Sequence, residues 1–489
     1  MSPSLFLSLR EDVSCEPGED GELVLRDAAA QIVFKHLGAG CRDALQRFGT
    51  GGEDEDLLTE LVLAADGADG LDRFDYYLQR LDRRGWIRRT ARQGHEPLAT
   101  LVTFASLSPC AFLTLLPGRY YQLSRFAYIR RAGGEMVLES PLAHSRVVLH
   151  DWRVAALVHP LTQSGPVEGW GEPIPGLAAE AVVKVMTLLL NADMLCERDR
   201  DGSTSEERDP ALQCWEFHDL LFHTRSRTGR HDGPWGGTYR FAGRLDPPSA
   251  LKAKMSADVI DLHRPDLERL TRDDPPLTLV QERRRSVRKY GSPPISVRQL
   301  GEFLYRVGRV KALRQMPVPT PAGLIPMDFA PRPYPGGGAL YELELYVTAN
   351  ACSGLAPGLY HYDAHDHRLE RLTADEAAVD KLLGDASLST TIPRGELQVL
   401  ITIAARFQRV SWKYAAMAYA TILKNVGVLY QTMYLVATAM GLAPCGVGGG
   451  DSDSFAWAAG TDYFAETSVG EFLLGSLPED PATGDLTDC

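Results

Sequence analysis

A lysine and a tyrosine, Lys413 and Tyr414, stand side by side where an apolar run gives way to a helical pattern. Residues 395–407 before them are apolar, as in a buried strand, and apolar residues recur at helical spacing from Met417 to Tyr430. A lysine amine held out of water can act as a base, and a neighbouring phenol can relay a proton. Lys-Tyr is also a common surface dipeptide whose amine reaches into solvent. The rest of the chain must therefore decide between a catalytic pair and a surface pair.

A second group of chemically capable residues lies in the sequence RRRSVRKY, residues 283–290. Guanidinium groups bind phosphate oxygens in a bidentate manner, and a serine hydroxyl adds another donor. A solvated helix N-terminus is the ordinary alternative explanation for such an arginine cluster. The candidate phosphate ligands are Arg284, Arg285, Ser286 and Arg288.

Two glycine-rich turns complete the set. One is Pro335, Gly336, Gly337 and Gly338, which leads into a strand pattern, and the other is Cys445, Gly446, Val447, Gly448 and Gly449, which follows a second apolar helix. Glycine lets the backbone approach a ligand closely and present its N–H groups. Two such turns, the arginines and a helix pair around a short sheet would enclose a flat phosphorylated cofactor. No GxGxxG follows a predicted strand, so a Rossmann unit is not expected.

The first half of the chain contains a weak internal repeat, in which residues 23–38 resemble residues 147–162. In each copy a strand-like run ends at an aspartate, Asp27 or Asp151, that is placed to cap a following helix. A second helical pattern and a short apolar segment follow each copy. Strand, helix, helix and wing in this order predict two winged helix-turn-helix units. Chance similarity between two α/β units is the alternative.

Neither predicted unit carries the basic helix face that DNA phosphates require. A peptide bound between helix and wing by strand addition is a better use of this shape, with a purely structural role as the alternative.

Composition excludes several other classes of protein. A length of 489 residues predicts two to four domains, and a composition of 44% hydrophobic and 24% charged residues is typical of a globular protein. The net charge of −13 argues against a nucleic-acid partner. The longest apolar run, residues 178–190, is interrupted by Glu180 and Lys184, so no membrane span is expected. The cysteines form no CxxC pair and the histidines no metal spacing, so we expect no metal, and a reducing cytoplasm as the location.

Taken in order, RRRSVRKY, RPYPGGGALYELELYV, GLYHYD, the WKY helix and GLAPCGVGG resemble the FMN-dependent nitroreductase superfamily. Within it, the chain is similar over residues 211–480 to the azoline dehydrogenases of the SagB/ThcOx type. The resemblance implies an α+β fold, with a tandem winged helix-turn-helix of the peptide-binding type before a nitroreductase-like FMN-binding domain. The expected boundaries are 1–95 and 96–210 for the winged-helix units, 211–275 for a connecting segment packed on the oxidase, and 276–489 for the FMN domain.

The resemblance also implies roles for the candidate residues. Arg284, Arg285, Ser286 and Arg288 match the FMN phosphate and ribityl ligands, and Pro335 to Gly338 match the loop under the isoalloxazine ring. Gly336 stands where the family often has serine, which puts a side-chain hydrogen bond there in doubt. Residues 445–449 match the backbone segment beside the flavin, and Lys413 with Tyr414 matches the pair associated with azoline oxidation. The lysine is the favoured base.

The implied function is oxidation of thiazoline or oxazoline rings to azoles in a ribosomally made precursor peptide, with FMN as cofactor and dioxygen as acceptor. A homodimer, and a cyclodehydratase as partner enzyme, are implied as well. The alternatives are an NAD(P)H-dependent nitroreductase or quinone reductase, an azoline oxidase acting on a nonribosomal peptide, and a non-catalytic winged-helix scaffold.

Overall fold

The chain folds into two units, Met1–Gly233 and Pro234–Cys489. The computed structural model describes residues 3–104, 112–166, 174–199, 201–372 and 376–479. Within these ranges, no helix combines the length and apolar character needed to cross a bilayer. The division falls inside the segment expected to connect the winged-helix and FMN domains, and the predicted domain boundaries stay a prediction.

The first unit mixes antiparallel strands with helices. Its strands are β1 (Phe6–Leu9), β2 (Ser14–Pro17), β3 (Leu23–Arg26), β4 (Gln31–Phe34), β5 (Glu53–Asp54), β6 (Ile87–Gln93), β7 (Glu96–Thr103), β8 (Tyr120–Leu123), β9 (Tyr128–Ala132), β10 (Glu135–Glu139), β11 (Ser145–Leu149), β12 (Gly165–Pro166) and β13 (Leu195–Arg198). Its helices are α1 (Ala39–Gly49), α2 (Glu55–Arg83), α3 (Trp152–Val158), α4 (Ala179–Asn191), α5 (Ser205–Arg208), α6 (Pro210–Gln213) and α7 (Phe217–Arg225). The sheets have the orders β5-β1-β6-β7-β11-β10-β9, β2-β3-β4 and β12-β8-β13.

The first winged helix-turn-helix consists of α1, α2 and the hairpin β6–β7. Helix α2 bends at Gly67, where φ is 71°, and its second half buries Phe74, Leu78 and Leu81. The chain then turns after Arg84 and enters the hairpin, which is the wing. A helix, a helix and a wing are present in the predicted order, but the first helix is α1 and not the run after Asp27, which forms β4.

Asp27 does not cap a helix, so that prediction was wrong. Its carboxylate accepts hydrogen bonds from the backbone N–H groups of Ala29 and Ala30 in the turn between β3 and β4. An aspartate satisfies the N–H groups of a tight turn in the same way as those of a first helical turn, so the residue alone does not distinguish them. Residues 31–34 alternate between solvent and core, and that period of two selects a strand.

The second copy of the internal repeat, which begins at residue 147, follows the predicted order of elements more closely. Strand β11 leads to Asp151, whose carboxylate accepts from Arg153 N at 2.8 Å and caps α3 as expected. Helix α4 buries the predicted apolar face, and β13 follows it. Instead of folding into a hairpin, β13 pairs with β8.

The second folded unit, Pro234–Cys489, is built around one large sheet. Its strands are β14 (Gly236–Gly237), β15 (Val259–Asp261), β16 (Arg314–Thr320), β17 (Gly323–Phe329), β18 (Leu343–Ala349), β19 (Gly358–Asp363), β20 (Arg368–Arg371), β21 (Val399–Arg406), β22 (Tyr414–Ala415), β23 (Leu442–Val447) and β24 (Glu466–Ser476). Its helices are α8 (Leu267–Asp273), α9 (Leu277–Arg283), α10 (Val297–Gly308), α11 (Glu376–Thr390), α12 (Phe407–Ser411), α13 (Ala418–Ala439) and α14 (Ser452–Ala459).

The large sheet has the antiparallel order β15-β20-β19-β18-β21-β24-β23. Helices α10 and α13 pack on one face, and α11 and α14 pack on the other. Strand β18 is buried along its whole length and β21 along all but its last residue, because each is covered on both faces. The predicted α+β class is confirmed.

Helix α13 is longer than expected. The sequence pattern predicted one helix with apolar residues from Met417 to Tyr430 and a second apolar helix after it, whereas a single helix runs from Ala418 to Ala439. Gly427 costs about 1 kcal/mol relative to alanine in a helix. Burial of residues such as Ile422, Leu429 and Met433 on both sides of it offsets that cost.

A buried charge cluster crosses the middle of the large sheet. His361 on β19 lies between Glu370, at 2.9 Å from Nδ1, and Glu344, at 3.5 Å from Nε2. Burial alone would lower the pKa of His361, but the two carboxylates raise it. Burial likewise opposes ionisation of Glu344, yet His361 and Arg332 bring its pKa down to about 2.

We predict that the unfolding free energy falls as pH rises above about 6.5, the ordinary pKa of histidine. Because the folded pKa of His361 is raised, its stabilisation is complete below that pH and is lost as pH rises through the folded value. A rise of one in the pKa corresponds to about 1.4 kcal/mol of unfolding free energy. Urea unfolding at several pH values measures this slope, and His361→Gln should flatten it. An unchanged slope in that variant would contradict the assignment.

Candidate active site

Lys413 and Tyr414 lie between α12 and α13, a few residues before the long helix begins. Tyr414 opens the short strand β22, which pairs with Gly237 of β14. The carbonyl oxygen of Lys413 accepts a hydrogen bond from Tyr239 N at 3.0 Å. The pair is therefore held by backbone contacts to residues 236–239, which lie far from it in sequence.

The Lys413 amine is half-buried between aromatic rings. Its Nζ is 5.7 Å from the centroid of the Tyr239 ring and 5.1 Å from that of Tyr414, distances at which the rings attract a cation. No carboxylate oxygen lies within ion-pair distance of it in the part of the chain that the structure describes. A carboxylate would hold the ammonium in its charged form. Without one, the N–H groups of the amine are left to contact a bound molecule.

The first glycine-rich turn contacts this pair directly. Gly338 has a φ of 64°, and a Cβ placed there would lie 2.5 Å from the Tyr414 hydroxyl and 2.9 Å from Lys413 Nζ. Only a residue without a side chain fits so close an approach in that conformation. Two motifs more than seventy residues apart in sequence thus form one surface.

The backbone around this surface is strained. Eight non-glycine residues among those described have positive φ, and four of them belong to the segments that build the site: Tyr239, Ala339, Tyr341 and Ala416. Such conformations persist only where the surroundings enforce them, and they concentrate at functional sites.

A series of buried hydrogen bonds fixes the first glycine-rich turn. Gly337 N donates to Asn425 Oδ1 at 3.0 Å, and Asn425 Nδ2 donates to Glu342 Oε1 at 2.8 Å. Glu342 is fully buried, and burial raises the pKa of its carboxyl group. Its other oxygen has no hydrogen-bond partner. The chain fixes the N–H of Gly337 from the N-terminal half of α13.

Arg409 binds the backbone that follows the first glycine-rich turn, at Leu340. Its guanidinium is 1% exposed and donates to the carbonyl oxygen of Leu340 at 3.0 Å. It also donates to the carbonyls of Pro248 and Asp328. Desolvation lowers the pKa of Arg409 to about 10, so the guanidinium stays charged at neutral pH.

The arginine cluster gathers around the other end of α13. Arg284 directly follows α9 as its C-cap, and its guanidinium lies 5.3 Å from the ring centroid of Tyr434. The Tyr434 hydroxyl is 2.7 Å from Ser286 Oγ and accepts a hydrogen bond from Gly446 N at 2.6 Å. Tyr434 therefore joins two of the predicted cofactor-binding segments. The cluster follows a helix C-terminus, not a solvated N-terminus.

The second glycine-rich segment is a loop only in part. Cys445, Gly446 and Val447 belong to β23, and only Gly448 and Gly449 follow it. Local sequence does not predict this strand, because it forms through pairing of β23 with β24, which lies further along the chain. Cys445 is fully buried and burial raises the pKa of its thiol, against the charge of Arg288, so it is not an activated nucleophile.

The two groups of residues lie at different places along one helix. Asn425 and Tyr434 are nine residues apart on α13, which corresponds to roughly 14 Å along the helix axis. Within one chain, the Lys413–Tyr414 pair with Gly338 forms one cluster, and Arg284, Ser286 and Tyr434 form another.

Sequence analysis missed Tyr239, Glu342, Asn425 and Tyr434. Asn425 carried the clearest signal, because an amide on an otherwise apolar, buried helix face must find hydrogen-bond partners. The others have contacts that depend on tertiary structure. In the described part of the chain, no group of three or more His, Cys, Asp or Glu side chains is placed to hold a metal ion.

Three family models match successive parts of the chain. The ThcOx helix-turn-helix domain matches residues 1–110, the cyanobactin oxidase ThcOx matches residues 121–232, and the nitroreductase family matches residues 282–475.

Three curated proteins are similar in sequence. A nitroreductase-family protein of Methanocaldococcus jannaschii is 29% identical over 39% of this chain and 85% of its own length. The trifolitoxin-processing protein TfxB of Rhizobium leguminosarum bv. trifolii is 22% identical over 66% of this chain and 85% of its own length. The microcin B17-processing protein McbC of Escherichia coli is 29% identical over 28% of this chain and 47% of its own length.

Among solved structures, a nitroreductase-family protein of Anabaena variabilis is 21% identical, with a TM-score of 0.36. The match covers 52% of this chain and 45% of the other.

We predict that Asn425→Leu lowers the free energy of unfolding by about 1–3 kcal/mol, because it strands two buried hydrogen-bonding groups. Chemical denaturation measures the change. The double variant Asn425→Leu/Glu342→Met removes both the amide and the carboxyl group, and should recover part of the loss. If the two substitutions instead add, the hydrogen bond between these side chains is not a stabilising contact.

Proposed function

We propose, since this chain is a SagB/ThcOx-type member of the nitroreductase superfamily, that it oxidises azoline rings in a precursor peptide to azoles, with FMN as cofactor. The observation that carries the proposal is the contact of Gly338 with Lys413 and Tyr414. It places a base and a phenol against a glycine-rich turn that can lie under a flat ring.

The residues present fit FMN. Arg284 has no carboxylate partner among the described residues, so its guanidinium and the nearby Ser286 hydroxyl can bind a phosphate. A turn without side chains lets a flat ring approach its backbone closely, while Tyr341, Thr421 and Tyr414 pack on the sides where a Cβ of Gly336, Gly337 or Gly338 would lie. When bound, FMN supplies the acceptor for the hydride that leaves the substrate.

The chain's own residues supply the proton chemistry. Converting an azoline to an azole removes a hydride from Cβ and a proton from Cα of the ring. Lys413, without a counter-ion, accepts the Cα proton at Nζ and becomes an ammonium. The Tyr414 hydroxyl donates a hydrogen bond to the ring heteroatom and orients the Cα–H bond toward the amine. Overall, one azoline and one dioxygen give one azole and one hydrogen peroxide.

A homodimer accounts for the position of the two clusters. Because they are separated along α13, we propose that the Lys413–Tyr414 cluster of one protomer and the arginine cluster of its partner complete one site. Apolar side chains exposed on α13 support this, namely Tyr419, Leu423 and Val428, at 46%, 39% and 36%. Large exposed apolar side chains often mark a surface that a partner covers.

The N-terminal unit would bind the precursor peptide. Strands β4 and β9 each pair with one neighbour only among the described strands, so each leaves a row of backbone groups for strand addition. The names of two relatives, which process trifolitoxin and microcin B17, favour a ribosomal peptide as the substrate. A cyclodehydratase that makes the azoline is the partner enzyme we propose.

The deciding experiment incubates the purified protein with a thiazoline peptide in air, with and without NAD(P)H. We expect the peptide to lose two hydrogens per ring without NAD(P)H. No such loss, alongside reduction of nitro compounds by NAD(P)H, would support a nitroreductase instead. A protein with no visible flavin absorption would support the scaffold alternative.

We predict that Lys413→Ala and Tyr414→Phe keep bound FMN but lose activity. Loss of a general base costs about 10²–10⁴-fold in rate, so Lys413→Ala should fall in that range. Mass spectrometry follows azole formation, and visible absorbance follows FMN. Lys381→Ala, at an exposed lysine of α11, is the matched control and should stay active. Full activity in both active-site variants would show the assignment to be wrong.

We predict that Gly338→Ala lowers the rate of azole formation about tenfold or more, because the new methyl group displaces Tyr414 and Lys413. Gly323→Ala separates this effect from backbone strain. Gly323 also has a positive φ, but a Cβ there would meet nothing within 4 Å. The control should therefore lose some stability and keep its activity, whereas equal loss in both variants would contradict the steric explanation.

A further inference from the structure

A basic cleft lies in the second unit, apart from both clusters of the proposed active site. It is lined by Arg264, Tyr305, Arg309, Lys311, His365 and His367. These residues come from the segment before α8, from the end of α10 and the residues after it, and from the turn between β19 and β20. None of them contacts the Lys413–Tyr414 pair or the arginine cluster in any hydrogen bond or ring contact described above.

Three permanent cations face this cleft without a counter-ion. Arg264 donates to the backbone oxygen of Asp366 at 2.8 Å, and Arg309 donates to that of Tyr305 at 2.9 Å. These carbonyl contacts orient the guanidinium groups without neutralising their charge. Over the described ranges, no carboxylate lies within ion-pair distance of Arg264, Arg309 or Lys311.

The acidic residues nearby are already neutralised. Asp363 and Asp366 both bind Lys254, and Arg368 lies 3.3 Å from each. Asp366 also contacts His365 at 2.8 Å. These carboxylates therefore do not compensate the three cations, and the cleft keeps an excess of positive charge.

The pKa of His367 is affected by the same excess of positive charge in the cleft. It is 2% exposed, and its Nε2 donates to the carbonyl oxygen of His263 at 3.0 Å while Nδ1 accepts from the Tyr362 hydroxyl at 2.8 Å. Burial lowers its pKa, and the charge of Arg264 lowers it further. A neutral imidazole at the base of the cleft leaves the surrounding charges for a bound anion.

We propose that this cleft binds an oxyanion of two negative charges, of the phosphate class. Several cations converging from separate elements match an anion with charge spread over three oxygens, and guanidinium groups suit phosphate geometry. A clustered, uncompensated positive charge is also destabilising unless an anion offsets it. The site is independent of the proposed redox reaction.

The phosphate can come from inorganic phosphate or from a phosphate monoester, and the test separates them. Calorimetric titrations in phosphate-free buffer at constant ionic strength use inorganic phosphate in one arm and adenosine monophosphate in the other. We expect saturable binding in at least the phosphate arm. Tighter binding of the nucleotide would identify a monoester as the ligand. No binding of either probe by the wild type would overturn the proposal.

Variants locate the binding. Arg264→Gln/Lys311→Gln should weaken phosphate binding at least tenfold, while Arg272→Gln/Arg298→Gln removes two exposed cations that do not line the cleft and should leave it unchanged. Arg284→Gln should also leave it unchanged, since that residue belongs to the arginine cluster of the proposed FMN site. If Arg284→Gln abolishes the binding, or if the first two double variants behave alike, the cleft is not the site.

Discussion

The close approach of Gly338 to Lys413 and Tyr414 is the constraint on which the rest of the site depends. A Cβ at residue 338 would overlap the phenol oxygen and crowd the amine, and the φ of 64° independently disfavours a side chain. Everything around the contact holds it in place. Strand β22 pairs with β14, Tyr239 donates to the Lys413 carbonyl, and Asn425 binds the N–H of the neighbouring Gly337.

This arrangement places the Lys413 amine among aromatic rings and backbone atoms, without a carboxylate beside it among the described residues. The nearest buried acid in the same network, Glu342, contacts Asn425, not the amine. Burial raises the pKa of Glu342, which disfavours its charged form. The hydrogen bonds of this network therefore fix the turn and do not engage the Lys413 amine.

Helix α13 organises the second unit because it carries a residue of each cluster. Asn425 supports the turn next to the Lys-Tyr pair, and Tyr434 joins Ser286 to Gly446. Its inner face packs into the main core, while its outer face exposes Leu423 and Val428. A single helix of this length can hold two clusters at a constant separation.

The α+β class followed from the resemblance to the nitroreductase superfamily. The sequence pattern by itself determined the winged helix-turn-helix order, the helix cap at Asp151 and the residue types of the candidate site. These follow from local periodicity, capping chemistry and glycine content, all of which act over a few residues. Sequence reasoning misassigned Asp27, divided α13 into two helices and placed Cys445 in a loop. In each case a local signal fits two structures, and the tertiary contact that selects between them comes from far along the chain. Only the folded structure decided that Gly338 meets Lys413 and Tyr414, because strand pairing and burial, not spacing in the sequence, bring those segments together.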